Sequence, residues 1–419
     1  MSRILFENAG LFDGVTPKVA ERMFVLVDGD EIKQVSVQPI EADGAERVDC
    51  RGKTLMPGLI DNHIHIYASS LQVLPPIPVT YRAQYAQKFL RHILSCGFTT
   101  VRDVAGGDHG MAMALRDGFF EGPRFFYGGL ALTQTGGHGD FRASSTPTDF
   151  CACCGPQRNI FAVHADGVDE CIKAVREELR KGAHHIKIMA SGGVISQSDP
   201  LERCQYSEAE IRAIVTECER QGSYVCAHSH PAEAIRRCAD YGVRSIEHGT
   251  LIDDDTAAFV AEKGAHVVPT VAVQAALKET GRDMGLSEAS YQKLLRVHDA
   301  AFEGLAIMKR AGVKMGFGTD LIGDNHTRQC TEFVLRKQML SAFDILHSAT
   351  AVNAEILQME GRLGVVTAGA LADLLVVDGN PLETIELLAA SGKHLTHIMV
   401  GGRFLKRPDA DRPAESATS

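Results

Sequence analysis

The residues best suited to chemistry recur at the ends of short apolar runs. His63 and His65, in Asp61-Asn62-His63-Ile64-His65, stand two apart. On a strand that spacing puts both imidazoles on one face. Taken alone, such a pair fits surface or core histidines equally well. Lys187, in His185-Ile186-Lys187-Ile188-Met189, sits between two isoleucines that face the other way. Its ammonium would therefore point inward, where an unpaired charge is costly. A lysine that reaches the rim or pairs with an acid is the plainer alternative. Three further runs end in Ala227-His228-Ser229-His230, Glu247-His248-Gly249-Thr250 and Gly316-Phe317-Gly318-Thr319-Asp320. Singly, each reads as a core histidine or a helix-capping aspartate. Together they bring histidine ligands, a lysine and an aspartate to the ends of five runs, which points to one shared rim.

The elements that must position these groups alternate between short apolar runs and helical segments, the pattern of parallel βα units. Strands are expected at 59–66, 99–104, 124–127, 185–190, 224–228, 245–247, 266–271 and 314–318. Eight units make an α/β fold with a closed (β/α)8 TIM barrel the economical architecture, and in such a barrel the loops after the strands build the active face. Ser207-Glu208-Ala209-Glu210 is a capping box opening a helix through Glu219, and Gly222 stops it. Segments 166–181 and 300–311 have amphipathic helical spacing. Short strands also mark the first fifty residues and the stretch 373–400. Neither block can bury a core alone, so the two termini are expected to form one small β-sandwich. The expected divisions are 1–57 with 361–406 for the sandwich, 58–360 for the barrel, and a disordered polar tail at 407–419.

Composition narrows the partners. The chain has 419 residues, 45% hydrophobic and 23% charged, as in ordinary globular proteins. With 43 basic against 53 acidic residues the formal charge is −10, which leaves no basic excess for nucleic acid. No apolar stretch approaches the roughly 20 residues of a membrane span. The start, Met1 to Val15, lacks the apolar core of a signal peptide, so a cytoplasmic location is expected. The eleven cysteines are odd in number and scattered, and are read as reduced. Cys151, Cys153 and Cys154 do not have CxxC spacing and read as loop thiols.

The constellation resembles the amidohydrolase superfamily over nearly the whole chain. The resemblance rests on Pro57-Gly58-Leu59-Ile60-Asp61-Asn62-His63-Ile64-His65, on Gly318-Thr319-Asp320, and on Ala368-Gly369-Ala370-Leu371-Ala372-Asp373-Leu374. Ile186-Lys187-Ile188-Met189-Ala190-Ser191-Gly192-Gly193 and Ala227-His228-Ser229-His230 resemble the imidazolonepropionase-related branch, with its prolidase-like dipeptidases and ochratoxin-hydrolysing amidohydrolases. The resemblance implies a (β/α)8 barrel holding two divalent ions, usually zinc, bridged by an N-carboxylated lysine. Position by position, it makes His63, His65 and Asp320 ligands of the first metal, Lys187 the bridge, and His228 and His248 ligands of the second. His230 is then left to face the substrate. Pro231 after His230 departs from the family's pattern, because proline fixes φ and removes a donor beside the substrate.

The implied reaction is amide hydrolysis of a dipeptide or N-acyl amino acid, ochratoxin A included. A metal-bridging hydroxide attacks, Asp320 shuttles the proton to the leaving nitrogen, and His230 steadies the oxyanion. His138, in the glycine-rich Thr135-Gly136-Gly137-His138-Gly139-Asp140, is expected to face a substrate carboxylate, and Arg328 is a second candidate for a substrate anion. The alternatives are hydrolysis of a xenobiotic amide, carbamate, urea or cyclic amide, and, from another class, a non-catalytic scaffold, against which all six ligand positions are filled. The expected partners are a small-molecule amide and further copies of the chain in a homo-oligomer.

Overall fold

The computed structural model describes residues 3–71, 77–142, 159–196 and 199–408. Cys151, Cys153, Cys154 and the tail from 409 onward lie outside the described residues. No disulfide joins the described cysteines. Among the described residues no helix is long and apolar enough to cross a membrane.

Both ends of the chain share one eight-stranded sheet, ordered Arg403–Lys406, Leu395–Val400, Leu374–Asp378, Lys53–Pro57, Arg3–Leu11, Ala20–Asp28, Glu31–Ser36, with Glu46–Asp49 also pairing Arg3–Leu11. The halves join where Leu374–Asp378 runs antiparallel to Lys53–Pro57, placing Leu375 opposite Met56. Alternation explains why the sheet is apolar on both sides. Ile4, Phe6, Val25, Val27, Leu374 and Val376 pack in one cluster, whereas Leu5, Phe24 and Leu26 pack in another.

The middle of the chain builds two parallel sheets. One has three strands, Leu59–Ile64, Phe98–Asp103 and Arg124–Tyr127; the other has seven, ordered Ala162–His164, Ala131–Thr133, Ile186–Met189, Val225–Pro231, Ser245–Leu251, His266–Val268 and Lys314–Met315. Their margins meet through backbone bonds. Asn62 N donates to Phe317 O at 2.9 Å and Asp320 N to His63 O at 2.8 Å. On the other side His184 N donates to Tyr127 O, and Gly106 N to Gly129 O, each at 2.8 Å.

All eight expected strands are present, although several boundaries differ. Ala131–Thr133 and Ala162–His164 are additional, and at three residues each they are too short to show a period-2 pattern. Ala131–Thr133 continues the direction of Arg124–Tyr127 after a break at Gly128-Gly129. Gly129 has φ +68°, a left-handed conformation that glycine adopts without strain, and a Cβ on it would displace the Glu178 carboxylate, 2.1 Å away at Oε2. The strand thus pairs with Phe98–Asp103 before the break and with Ile186–Met189 after it.

Helices cover the outer face of these sheets. Glu208–Arg220 begins with the expected capping box, Ser207 receiving from Glu210 N and Glu210 reaching back. The last long helix, Glu288–Ala311, starts a full three turns before the expected 300, capped by Ser287. Ile186 and Ile188 pack outward in the main core with Ile214, Val225, Ala227, Ile246 and Leu305. At about 1.5–3 kcal/mol for burying such a side chain, this packing fixes which way the strand faces. Lys187 is consequently held on the opposite, inner side.

Candidate metal centre and substrate cavity

The inner strand ends open into a cavity of about 150 Å³, with His63, His65, Lys187, His228, His248 and Asp320 among its lining residues. Their donor atoms form two groups. His63, His65 and Asp320 offer one atom each within 4.8 Å of one another, and so do His228, His230 and His248. The groups adjoin, since the rings of His63 and His248 are 5.0 Å apart.

Hydrogen bonds leave one nitrogen of each ring available. His63 Nδ1 donates to Glu247 Oε2 at 2.7 Å, freeing Nε2, which lies 3.5 Å from Asp320 Oδ1. His65 Nδ1 donates to Ala105 O at 3.0 Å, freeing Nε2, 3.3 Å from the same carboxylate oxygen. His248 Nδ1 meets Thr270 Oγ1 at 2.7 Å, and His228 Nε2 meets Gly192 O at 3.2 Å. Partners of this kind select the tautomer and fix the plane of a ligating imidazole.

Protonation favours cation binding. Burial lowers His63 to about 4 and pushes His228 and His248 well below the usual histidine range, so all three are neutral near pH 7. For Asp320 burial acts in the opposite sense, but His63, His65 and Lys187 outweigh it and hold the carboxylate ionised. His65 moves up: burial disfavours its cation, yet the hydrogen bond it donates to the Asp320 carboxylate and that group's charge prevail. Lys187 is lowered by burial and makes no hydrogen bond or ion pair among the described residues. Neutral imidazoles with a carboxylate are a donor set that suits zinc-like divalent ions, so the residues present fit such a metal.

Two of these residues depend on unusual backbone. Simple strand alternation would send Glu247 and His248 to opposite faces. His248 has φ 71° and Asp320 φ 53°, in the left-handed region, and both line the cavity. Non-glycine residues held there cost on the order of 1–3 kcal/mol each and cluster at functional sites.

A buried polar frame stands behind the ligands. Glu247 receives Arg102 Nη2 at 2.7 Å and Ser245 Oγ at 2.8 Å, with Arg102 Nε bonded to Asn62 O. Asp61 accepts from His63 N, Thr319 N, Thr319 Oγ1 and Gln329 Nε2, which ties the first and last strands together. Asp103 accepts from Ile66 N and Gly107 N. Sequence reasoning assigned roles to none of these. Asp61 lies two residues before His63 and Glu247 immediately precedes His248, and those were the available signals.

The remaining expected site residues divide. His230 belongs to the same three-histidine group as His228 and His248, with Nδ1 at 3.2 Å from Thr250 Oγ1. The assignment of His228 to a metal and His230 to the substrate, implied by the family resemblance, is therefore not mirrored by a spatial separation. His138 lines the cavity, stacked on His228 with ring centres 4.2 Å apart, and its Nδ1 is 2.6 Å from Ser196 Oγ. Arg328 does not line the cavity; it pairs with Glu279 at 2.5 Å on the outside of the short helix Gly323–Arg328. The far wall is apolar, with Val194, Ile195, Val273, Leu277, Leu294 and Val297.

With parallel strands ending in two histidine-rich clusters, the arrangement is that of a metal-dependent hydrolase. The chain belongs to the Amidohydrolase family, which matches residues 54–405. It is 32% identical over 375 residues to ochratoxinase from Aspergillus niger, covering 85% of this chain and 77% of that protein. A prolidase solved in complex with N-methylphosphonate-L-proline is 43% identical with a TM-score of 0.93, covering 97% of this chain and 100% of the other. A Xaa-Pro dipeptidase solved with methionine in its active site is 31% identical with a TM-score of 0.87, over 97% and 100% of the two chains. These relatives put the chain in the prolidase and ochratoxinase branch of the family.

Proposed function

We propose that the chain hydrolyses the amide bond of dipeptides or N-acyl amino acids, ochratoxin-like N-acyl phenylalanines included, on a (β/α)8 barrel spanning 58–360. The observation that carries this reading is the pair of donor clusters in a cavity that also exposes Lys187 and is walled by apolar side chains. His63, His65 and Asp320 would hold one zinc-like ion, and His228 and His248 a second. When bound, such ions supply Lewis acidity and an acidified water.

Lys187 suits a bridging role once carboxylated. Its neutral amine nitrogen would bond the carbon of CO2 and release one proton, leaving a carbamate anion where the side chain would otherwise be neutral or cationic. Burial favours the neutral amine that this step needs. Asp320 would take a proton from the attacking water and deliver it to the leaving nitrogen. His230, anchored through Nδ1 to Thr250, would offer Nε2 to the carbonyl oxygen. His138 would lie beside the substrate's carboxylate, with the apolar wall taking its side chain.

The test is a panel of dipeptides and N-acyl amino acids varied in both halves, with bound metals quantified and 13C-bicarbonate supplied. Amide hydrolysis, about two metal ions per chain, and a carbamate signal missing from Lys187→Met are expected. Turnover of carbamates or ureas with no amide cleaved would overturn the substrate assignment. A metal-replete active enzyme without a carbamate signal would overturn the role of Lys187.

A further inference from the structure

The strand that carries Lys187 runs into a segment, 190–205, whose described residues meet His138, His228 and His230 and line part of the cavity. Among its described residues it has no strand or helix, only the isolated bridge between Ser191 and Cys204. Gly192 O meets His228, Ser191 Oγ receives His230 N, and Ser196 Oγ meets His138. Val194 and Ile195 form part of the cavity wall. The fit against His138 is tight: a Cβ on Gly193 would lie 2.1 Å from His138 Cε1. A loop this irregular must satisfy its carbonyl groups from elsewhere.

One stripe of the helix Glu288–Ala311 does so. Lys293 Nζ donates to Gly193 O at 3.1 Å, Ser196 O at 2.7 Å and Asp199 O at 2.6 Å, which uses all three of its N–H groups. One turn earlier Ser290 Oγ donates to Ile195 O, and three residues later Arg296 pairs with Glu202. Leu294 and Val297, on the same side, are apolar wall residues of the cavity. The helix thus meets the loop and the cavity along one face, at the i, i+3, i+4, i+7 spacing.

We propose that Lys293 is a positioning residue for substrate binding, clamping Gly193, Ser196 and Asp199 between the helix Glu288–Ala311 and His138. It does not reach the reacting atoms. Its effect is to hold Val194 and Ile195 as a fixed wall and to keep Ser196 against His138, so its loss blurs the pocket while the metal ligands stay in place. The kinetic part of this inference rests on the amide-hydrolase reading; the structural part does not.

The experiment compares the metal-loaded wild type with Lys293→Met and Lys293→Arg. Losing three bonds to a charged donor is expected to speed amide exchange across 192–205 about tenfold, with the strands Val225–Pro231 and Ser245–Leu251 unchanged. Metal content should stay at the wild-type level, and KM for N-acyl amino acids should rise about tenfold with kcat within about twofold. Arginine can still donate to several carbonyls and should restore most of both effects. If Lys293→Met does not accumulate, Lys293→Gln, which keeps one donor group, takes its place. Unchanged exchange in the loop overturns the clamp. Equal acceleration of every strand, or a loss of kcat and metal with unaltered KM, shows that Lys293 supports the whole fold instead. A wild type that cleaves no amide would refute the proposed function, and loop exchange would still decide the clamp.

Discussion

Replacing Glu247 with glutamine separates what holds the strands beneath the cavity together from what orients a candidate metal ligand. Arg102 and Glu247 are both fully buried and 2.7 Å apart, and the same carboxylate takes His63 Nδ1 at 2.7 Å. Burial alone would raise Glu247, but Arg102 and then His63 hold it well below the usual carboxylate range, so it is an anion. Glu247→Gln leaves the Arg102 cation without its partner, which costs about 3–5 kcal/mol. Unfolding entropy of about 2.1 cal/mol/K per residue gives roughly 0.9 kcal/mol/K for 419 residues, so Tm should fall by about 3–6 °C. His63 loses the acceptor that fixes its tautomer, and metal affinity should drop about 10–100-fold. Circular-dichroism melting and metal retention against graded chelator read the two effects. A double variant, Arg102→Met with Glu247→Met, removes both charges and should recover most of the Tm but none of the metal affinity. If Glu247→Gln melts within a degree of wild type and keeps its metal, the carboxylate is neither the anion nor the orienting group described above.

Two other expectations follow from the same geometry. Asp320→Asn keeps a residue type that tolerates φ 53°, so the fold and much of the metal should persist while kcat falls by about 10²–10⁴-fold; near-normal turnover would exclude Asp320 from proton transfer. Chelated protein should lose stability on acidification, because His63 and His230 are lowered to about 4 and His138 to about 3 by burial. Between pH 6.5 and 4 the unfolded chain binds protons that the folded chain refuses, so stability falls as pH falls, by no more than about 3 kcal/mol for His63 alone. A flat Tm across that window would contradict the buried, neutral state of these rings.

The sequence made the candidate ligand positions legible because a strand's period of two is visible in His63 and His65, and because Lys187 between two isoleucines has one inward choice. It could not show how His248 turns inward. That depends on a left-handed backbone at His248, a residue type that tolerates it but does not announce it in the sequence, next to a glutamate whose own direction is the ordinary one. The frame of Asp61, Arg102, Asp103 and Glu247 was hidden for a different reason. Its bonds join residues up to 268 positions apart, and no local pattern encodes such pairings. Arg328 illustrates the converse: proximity in sequence to Asp320 suggested the pocket, but the short helix Gly323–Arg328 turns it toward Glu279. The break at Gly128-Gly129 was present in the sequence as a glycine pair, but the three-residue strand beyond it was too short to recognise.

The pairing of Leu374–Asp378 with Lys53–Pro57 has a consequence for how the protein is made. During synthesis at about 5–20 residues per second, the early strand waits on the order of half a minute before its neighbour leaves the ribosome. Throughout that interval Lys53–Pro57 presents an unpaired, mostly apolar edge, the kind of surface that recruits other nascent chains. Chaperone supply and slow, cool expression should therefore govern the yield of this protein more than the stability of the finished molecule does.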